Sequence, residues 1–138
     1  MNILLLEDDY AYKKRIKAIL EDAGFAVEDF GRIDLAKEFI NKNIQIIDCV
    51  VLDLNMNDEW LDEFQVESVG GMISGWIFMK RYIYPLSPDM PTVILSGIND
   101  IDDIIDLSSY NQVKFLSKDY LYGNKTYNLI DTIKEITI

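Results

Sequence analysis

Asp48-Cys49-Val50-Val51-Leu52-Asp53 is a run of apolar residues closed by an acid, and it decides the fold. A short, continuously apolar run of this kind reads as a strand buried within a sheet. An unpaired carboxylate in apolar surroundings is costly, so Asp53 marks the end of the strand that faces solvent. The chain opens in the same way, with Ile3-Leu4-Leu5-Leu6 running into Glu7-Asp8-Asp9. In an open parallel sheet, ligands bind at the carboxyl ends of strands where the strand order reverses. Asp8, Asp9 and Asp53 are therefore expected to meet in one acidic pocket suited to a hard divalent cation.

Working outward from that strand, apolar and turn residues alternate in a regular way. Residues 10–23 put Ile16, Ile19, Leu20 and Ala23 on one helical face, with Lys13, Lys14, Arg15 and Lys17 elsewhere and Gly24 as the stop. Residues 25–30 alternate as a strand. Asp34 is expected to cap a second helix, through residue 41, that buries Leu35, Ala36, Phe39 and Ile40. Ser74 is expected to cap a third helix that Pro85 closes. Thr92-Val93-Ile94-Leu95 is a fourth strand stopped by Ser96-Gly97, and Val113-Lys114-Phe115-Leu116 a fifth. Helices are expected over about 100–110 and 124–136. Five strands alternating with five helices predict an α/β domain with a doubly wound parallel sheet and helices on both faces.

The totals agree with one folded domain. The chain has 138 residues, 49% of them hydrophobic and 27% charged, enough to bury a core without disulfides or structural metal. With 13 basic and 24 acidic residues its net charge is −11, which opposes direct binding to nucleic acid or to anionic membranes. Cys49 is its one cysteine, on an expected core strand, and suits a reducing compartment. Neither a leader nor a membrane-spanning run is evident, so a cytoplasmic location is expected. Histidine is absent, which excludes imidazole-based metal sites, triads and pH switches and leaves oxygen ligands.

Leu6-Glu7-Asp8-Asp9, Val51-Leu52-Asp53-Leu54-Asn55-Met56, Leu95-Ser96-Gly97 and Phe115-Leu116-Ser117-Lys118 fall in order at successive strand ends. In this the chain resembles the receiver domain of two-component response regulators, over nearly its whole length. The resemblance implies a flavodoxin-like sheet of order 2-1-3-4-5 and a single domain over residues 1–138. It implies that Asp53 accepts a phosphoryl group from a histidine kinase or phosphotransfer protein. Mg²⁺ would be held by Asp9 and Asp53, with Asp8 through water and the main-chain carbonyl of Asn55 completing the set. Lys118 and Ser96 would contact the phosphoryl oxygens. Ser96 and Phe115 would act as the switch, reshaping the face of the helix over 100–110, the fifth strand and the last helix for an unknown downstream protein. Such a chain would work as a monomer or a phosphorylation-dependent homodimer, and would be an enzyme only in assisting its own phosphorylation and dephosphorylation.

Plainer roles exist for the same residues. Asp8 and Asp9 are also suited to cap the first helix, whose dipole favours acids there. Two features depart from the family. An insertion over 57–71 interleaves Asp58, Glu59, Asp62, Glu63 and Glu67 with Trp60, Leu61, Phe64, Val66 and Val69, and is expected either to pack back on the domain or to form a lid or docking surface. Asp119 stands where receivers usually have proline, so the Lys118 loop is expected to be trans. Two rival functions are a receiver-like interaction module that works without phosphorylation, and a Mg²⁺-dependent phosphohydrolase with Asp53 as nucleophile. The phosphohydrolase reading ordinarily needs an acid where Asn55 stands.

Overall fold

The computed structural model describes residues 1–56, 74–97, 109–118 and 127–138. Five strands, β1 (Asn2–Leu6), β2 (Ala26–Phe30), β3 (Cys49–Asp53), β4 (Thr92–Ser96) and β5 (Val113–Ser117), form one sheet. Its order is β2-β1-β3-β4-β5 and every pairing is parallel, as the sequence predicts. β1 and β3 are the inner pair at the point where the order reverses, so their ends flank the crevice.

Alternation along the strands divides the core in two. Leu4, Leu6, Val50, Leu52 and Ile94 pack on the side of α2 (Ile33–Asn43) and α3 (Ser74–Phe78). Ile3, Leu5, Cys49, Val51, Val93 and Leu95 pack on the other side, under α1 (Tyr10–Asp22) and α4 (Tyr127–Ile136). β1 and β3 are almost wholly buried on both faces, which is why their sequences are continuous apolar runs. Burial pushes the Cys49 thiol up to about 12, so it stays protonated as a small core residue.

Local signals were read correctly at one helix end and shifted at another. α1 ends where Gly24 takes φ of 94°, the left-handed conformation that a glycine reaches without a Cβ clash. α2 begins one residue before Asp34. Its N-cap residue is Arg32, which makes no side-chain cap bond, and Asp34 sits in the first turn. There Asp34 accepts from Arg32 Nε at 3.1 Å and Nη2 at 2.7 Å, a two-pronged ion pair that takes the carboxylate away from capping.

The third helix also differs from expectation. Ser74 is its first residue rather than a cap, and the α-helical turn gives way to a π-helix over Met79–Ile83. The N–H of Tyr84 donates to the carbonyl of Met79 at 3.0 Å, closing that wider turn. Trp76 lies edge-on to Tyr110 at 4.9 Å and to Tyr84 at 6.0 Å between ring centroids, and the Tyr84 hydroxyl is 3.1 Å from that of Thr92. The expected helix over 100–110 and insertion over 57–71 lie outside the described residues, apart from Ser109 and Tyr110. No helix among the described residues is long and apolar enough to cross a membrane.

Candidate functional site

Strand register builds the acidic pocket. Leu5 pairs with Val51 and Leu6 with Leu52, so the next residues along β1 and β3 are Glu7 and Asp53. Both continue the alternation of Ile3, Leu5, Cys49 and Val51, and so emerge toward the α1 and α4 side. Carboxylate oxygens of Glu7, Asp8 and Asp53 all lie within 4.8 Å of one another. Glu7 and Asp53 are buried, at 1% and 6% exposure, while Asp8 is exposed.

Asp9 takes another role. Its Oδ1 accepts from the backbone N–H of Tyr12 at 3.0 Å, which makes it the N-cap of α1. Asp9 is thus engaged at the cap, two residues along the chain from Glu7, the acid that stands beside Asp53. The backbone N–H of Asp9 in turn donates to Glu7 Oε1 at 3.1 Å, fixing that carboxylate. Continuing the period of two from Ile3 and Leu5 would have identified Glu7 from the sequence.

Lys118 reaches the pocket from β5. It follows Leu116 by two residues, and Leu116 packs on the α1 and α4 side. The Lys118 Nζ lies 3.2 Å from Asp53 Oδ2 and 3.3 Å from Glu7 Oε2. Glu7 Oε2 is nonetheless a buried oxygen with no well-directed hydrogen bond, so the ammonium is its only described charge partner and does not satisfy its lone pairs. On the other acid, Asp53 Oδ1 accepts from the backbone N–H of Asn55 at 3.2 Å.

Protonation follows from this crowding. Burial first, and then the Asp53 charge, push the Glu7 carboxyl up to about 7 against the pull of Lys118. Burial also raises Asp53, opposed by Lys118 and the Asn55 N–H. Burial alone would lower Lys118, yet the facing carboxylates of Asp53 and Glu7 outweigh it and hold the ammonium charged. Three clustered carboxyl groups facing one ammonium leave an excess of negative charge. A buried Glu7 oxygen without a well-directed hydrogen bond, in an all-oxygen donor set, fits a hard divalent cation of the Mg²⁺ type.

The remaining expected residues surround this centre. Ser96 ends β4, one step beyond the Asp53–Leu95 pair, and is buried. It pairs in register with Ser117, and Phe115 pairs with Ile94 and packs on the α2 and α3 side of the sheet. Behind Asp53, Gly75 comes so close to the Asp53 carbonyl that a Cβ there would lie 2.2 Å from its oxygen. Its N–H donates to Leu54 at 2.9 Å. The signal for Gly75 in the sequence is a glycine that follows a serine at the start of a helix. The Lys118–Asp119 peptide lies outside the described residues.

No protein-family model matches this chain, and no curated protein does. Solved structures do. A response regulator receiver domain protein from Clostridium thermocellum superposes with a TM-score of 0.76 at 22% identity, covering 99% of this chain and 93% of its own. The non-phosphorylated HemR receiver domain from Leptospira biflexa gives 0.73 at 21%, with the same coverage. A CheY-like receiver domain protein from Methanospirillum hungatei gives 0.70 at 20%, covering 97% of this chain and 90% of its own. With its parallel 2-1-3-4-5 sheet, this chain has the receiver-domain fold of response regulators along nearly its whole length.

Proposed function

We propose that the chain is a phosphoacceptor signalling switch of a two-component phosphorelay. Asp53 takes a phosphoryl group from a histidine kinase or phosphotransfer protein, and the modified chain changes which protein it binds. The observation that carries this reading is a buried carboxylate at the end of the central strand, held between two further acids and one ammonium.

In the transfer, an Asp53 oxygen forms a bond to phosphorus as the bond from phosphorus to the donor's imidazole nitrogen breaks. The electron pair stays on that nitrogen, which takes up a proton. Reactions of this type depend on alignment and charge neutralisation, with little covalent work for the protein. Asp53 must be ionised, and Lys118 with the Asn55 N–H favours that state against burial. Glu7, Asp8 and Asp53, with the Asn55 carbonyl, would hold Mg²⁺, which when bound neutralises the carboxylates and the incoming phosphoryl oxygens. Lys118 pairs with one phosphoryl oxygen and the Ser96 hydroxyl donates to another.

Ser96 and Phe115 then form the output. They belong to paired neighbouring strands, and a pull on the Ser96 hydroxyl changes the space open to the Phe115 ring on the α2 and α3 side. A switch from 1:99 to 99:1 needs about 5.5 kcal/mol of differential stabilisation, within reach of a few charge-assisted hydrogen bonds together with a metal. Residues 1–138 act as one such unit carrying an insertion over 57–71, and turnover of an external substrate is no part of the role. The reading places the chain in the cytoplasm, where its kinase donor would meet it.

Incubation with a radiolabelled phosphohistidine phosphotransfer protein tests this. Label should move to the wild-type chain and stay on the donor when Asp53→Asn is used. Transfer to Asp53→Asn, or turnover of small phosphoesters by the wild type, would favour another function.

A further inference from the structure

Tyr12 stands on the first turn of α1 with its ring centroid 4.7 Å from Lys118 Nζ. Its backbone is fixed by the Asp9 cap, and its side chain packs on the core under α1 and α4. We propose that Tyr12 is a positioning residue for Lys118, holding the ammonium over its ring at the mouth of the Asp53 pocket. The inference rests on the phosphoacceptor reading of Asp53.

The need for such a residue follows from the fate of the other contacts. In the structure the ammonium is drawn to Glu7 and Asp53, both of which would be ligands of a divalent cation. A cation seated between those acids neutralises their hold on Lys118 and repels its charge. Lysine is a compact charge on a flexible stem and then has many rotamers to occupy. An aromatic face attracts an ammonium through its quadrupole and does not compete for the metal. Among the described residues, Tyr12 offers the contact to Lys118 that metal binding leaves intact. Asp9 thereby acts at one remove: it caps α1, the cap fixes Tyr12, and Tyr12 fixes Lys118.

The test compares Tyr12→Leu, Tyr12→Phe and the wild type in Mg²⁺-dependent phosphoryl uptake from acetyl phosphate, followed by intact mass. Tyr12→Leu is expected to slow uptake about tenfold and Tyr12→Phe, which keeps the ring, to restore it. In a Lys118→Ala background Tyr12→Leu is expected to add nothing. Equal rates for Leu and Phe variants, or a further loss in the Lys118→Ala background, would overturn the proposal. A second readout does not depend on phosphorylation: the Lys118 Hε resonances should move downfield in Tyr12→Leu, as the ring current is lost, and stay in place in Tyr12→Phe. Unchanged resonances in both variants would refute the contact itself, whereas a wild type that takes up no phosphoryl group while the resonances move would count against the reading of Asp53 alone.

Discussion

Ser74 Oγ holds Met56 at both of its backbone polar atoms, accepting from its N–H at 2.8 Å and donating to its carbonyl at 2.5 Å. The two residues are 18 apart in sequence and both are buried. Through this clasp the end of β3 and the start of α3 meet. Ser74→Ala leaves a buried N–H and a buried carbonyl without that partner, at a cost of about 1–3 kcal/mol. Denaturant unfolding should show the loss, and Ser74→Thr should recover part of it.

The same clasp ties together the two ends of the segment between Met56 and Ser74. Replacing residues 58–69 by a short glycine linker should leave the fold intact, because Met56 and Ser74 are already in contact. A melting temperature within a few degrees of wild type is the expected result. Loss of cooperative unfolding would mean that the segment supplies part of the core.

Gly75→Ala should be among the most damaging single changes. A Cβ 2.2 Å from the Asp53 carbonyl oxygen must displace either α3 or the end of β3. Overpacking of this kind costs about 1–3 kcal/mol and here also shifts Asp53. Phosphoryl uptake should fall along with stability, which unfolding curves and intact mass would record side by side.

Metal-free protein should lose stability as pH rises. Glu7 ionises near 4.5 in the unfolded chain and at about 7 when folded, so the folded state binds this proton more tightly. That advantage is complete below 4.5 and lost as pH rises to about 7, and the raised Asp53 contributes in the same direction. Glu7→Gln should flatten the difference in melting temperature across this window. Mg²⁺ added at pH 8 should stabilise the wild type and do so much less for Glu7→Gln.

Lys118→Met removes the ammonium between two buried acids. Without metal at pH 8 it should destabilise the fold by about 2 kcal/mol, since a buried charge that loses its partner is penalised. At pH 5, where Glu7 is largely protonated, the deficit should shrink. Parallel urea titrations at the two pH values measure it.

Much of this molecule was legible in its sequence because buried parallel strands are written as uninterrupted apolar runs. β1, β3 and β4 were each marked that way, β5 more weakly because Lys114 interrupts its apolar residues, and the helices expected between them pointed to a parallel order. Asp53, Ser96 and Lys118 were legible as polar residues following such runs. Glu7 was missed because adjacent acids look alike until strand alternation assigns them faces. Asp34 looked like a cap, yet a flanking arginine drew its carboxylate into an ion pair. The π-helix over Met79–Ile83 left no sequence period to read, since its wider turn departs from the 3.6-residue repeat.

The proposed switch stands or falls with Asp53 as the residue that takes the phosphoryl group. Intact mass after incubation with acetyl phosphate, in Mg²⁺ and in chelator, beside Asp53→Asn, tests it most directly. One acid-labile phosphoryl group is expected on the wild type in Mg²⁺, and none in chelator or on Asp53→Asn. A gain that persists on Asp53→Asn, or none on the wild type with either acetyl phosphate or a phosphohistidine donor, would contradict it.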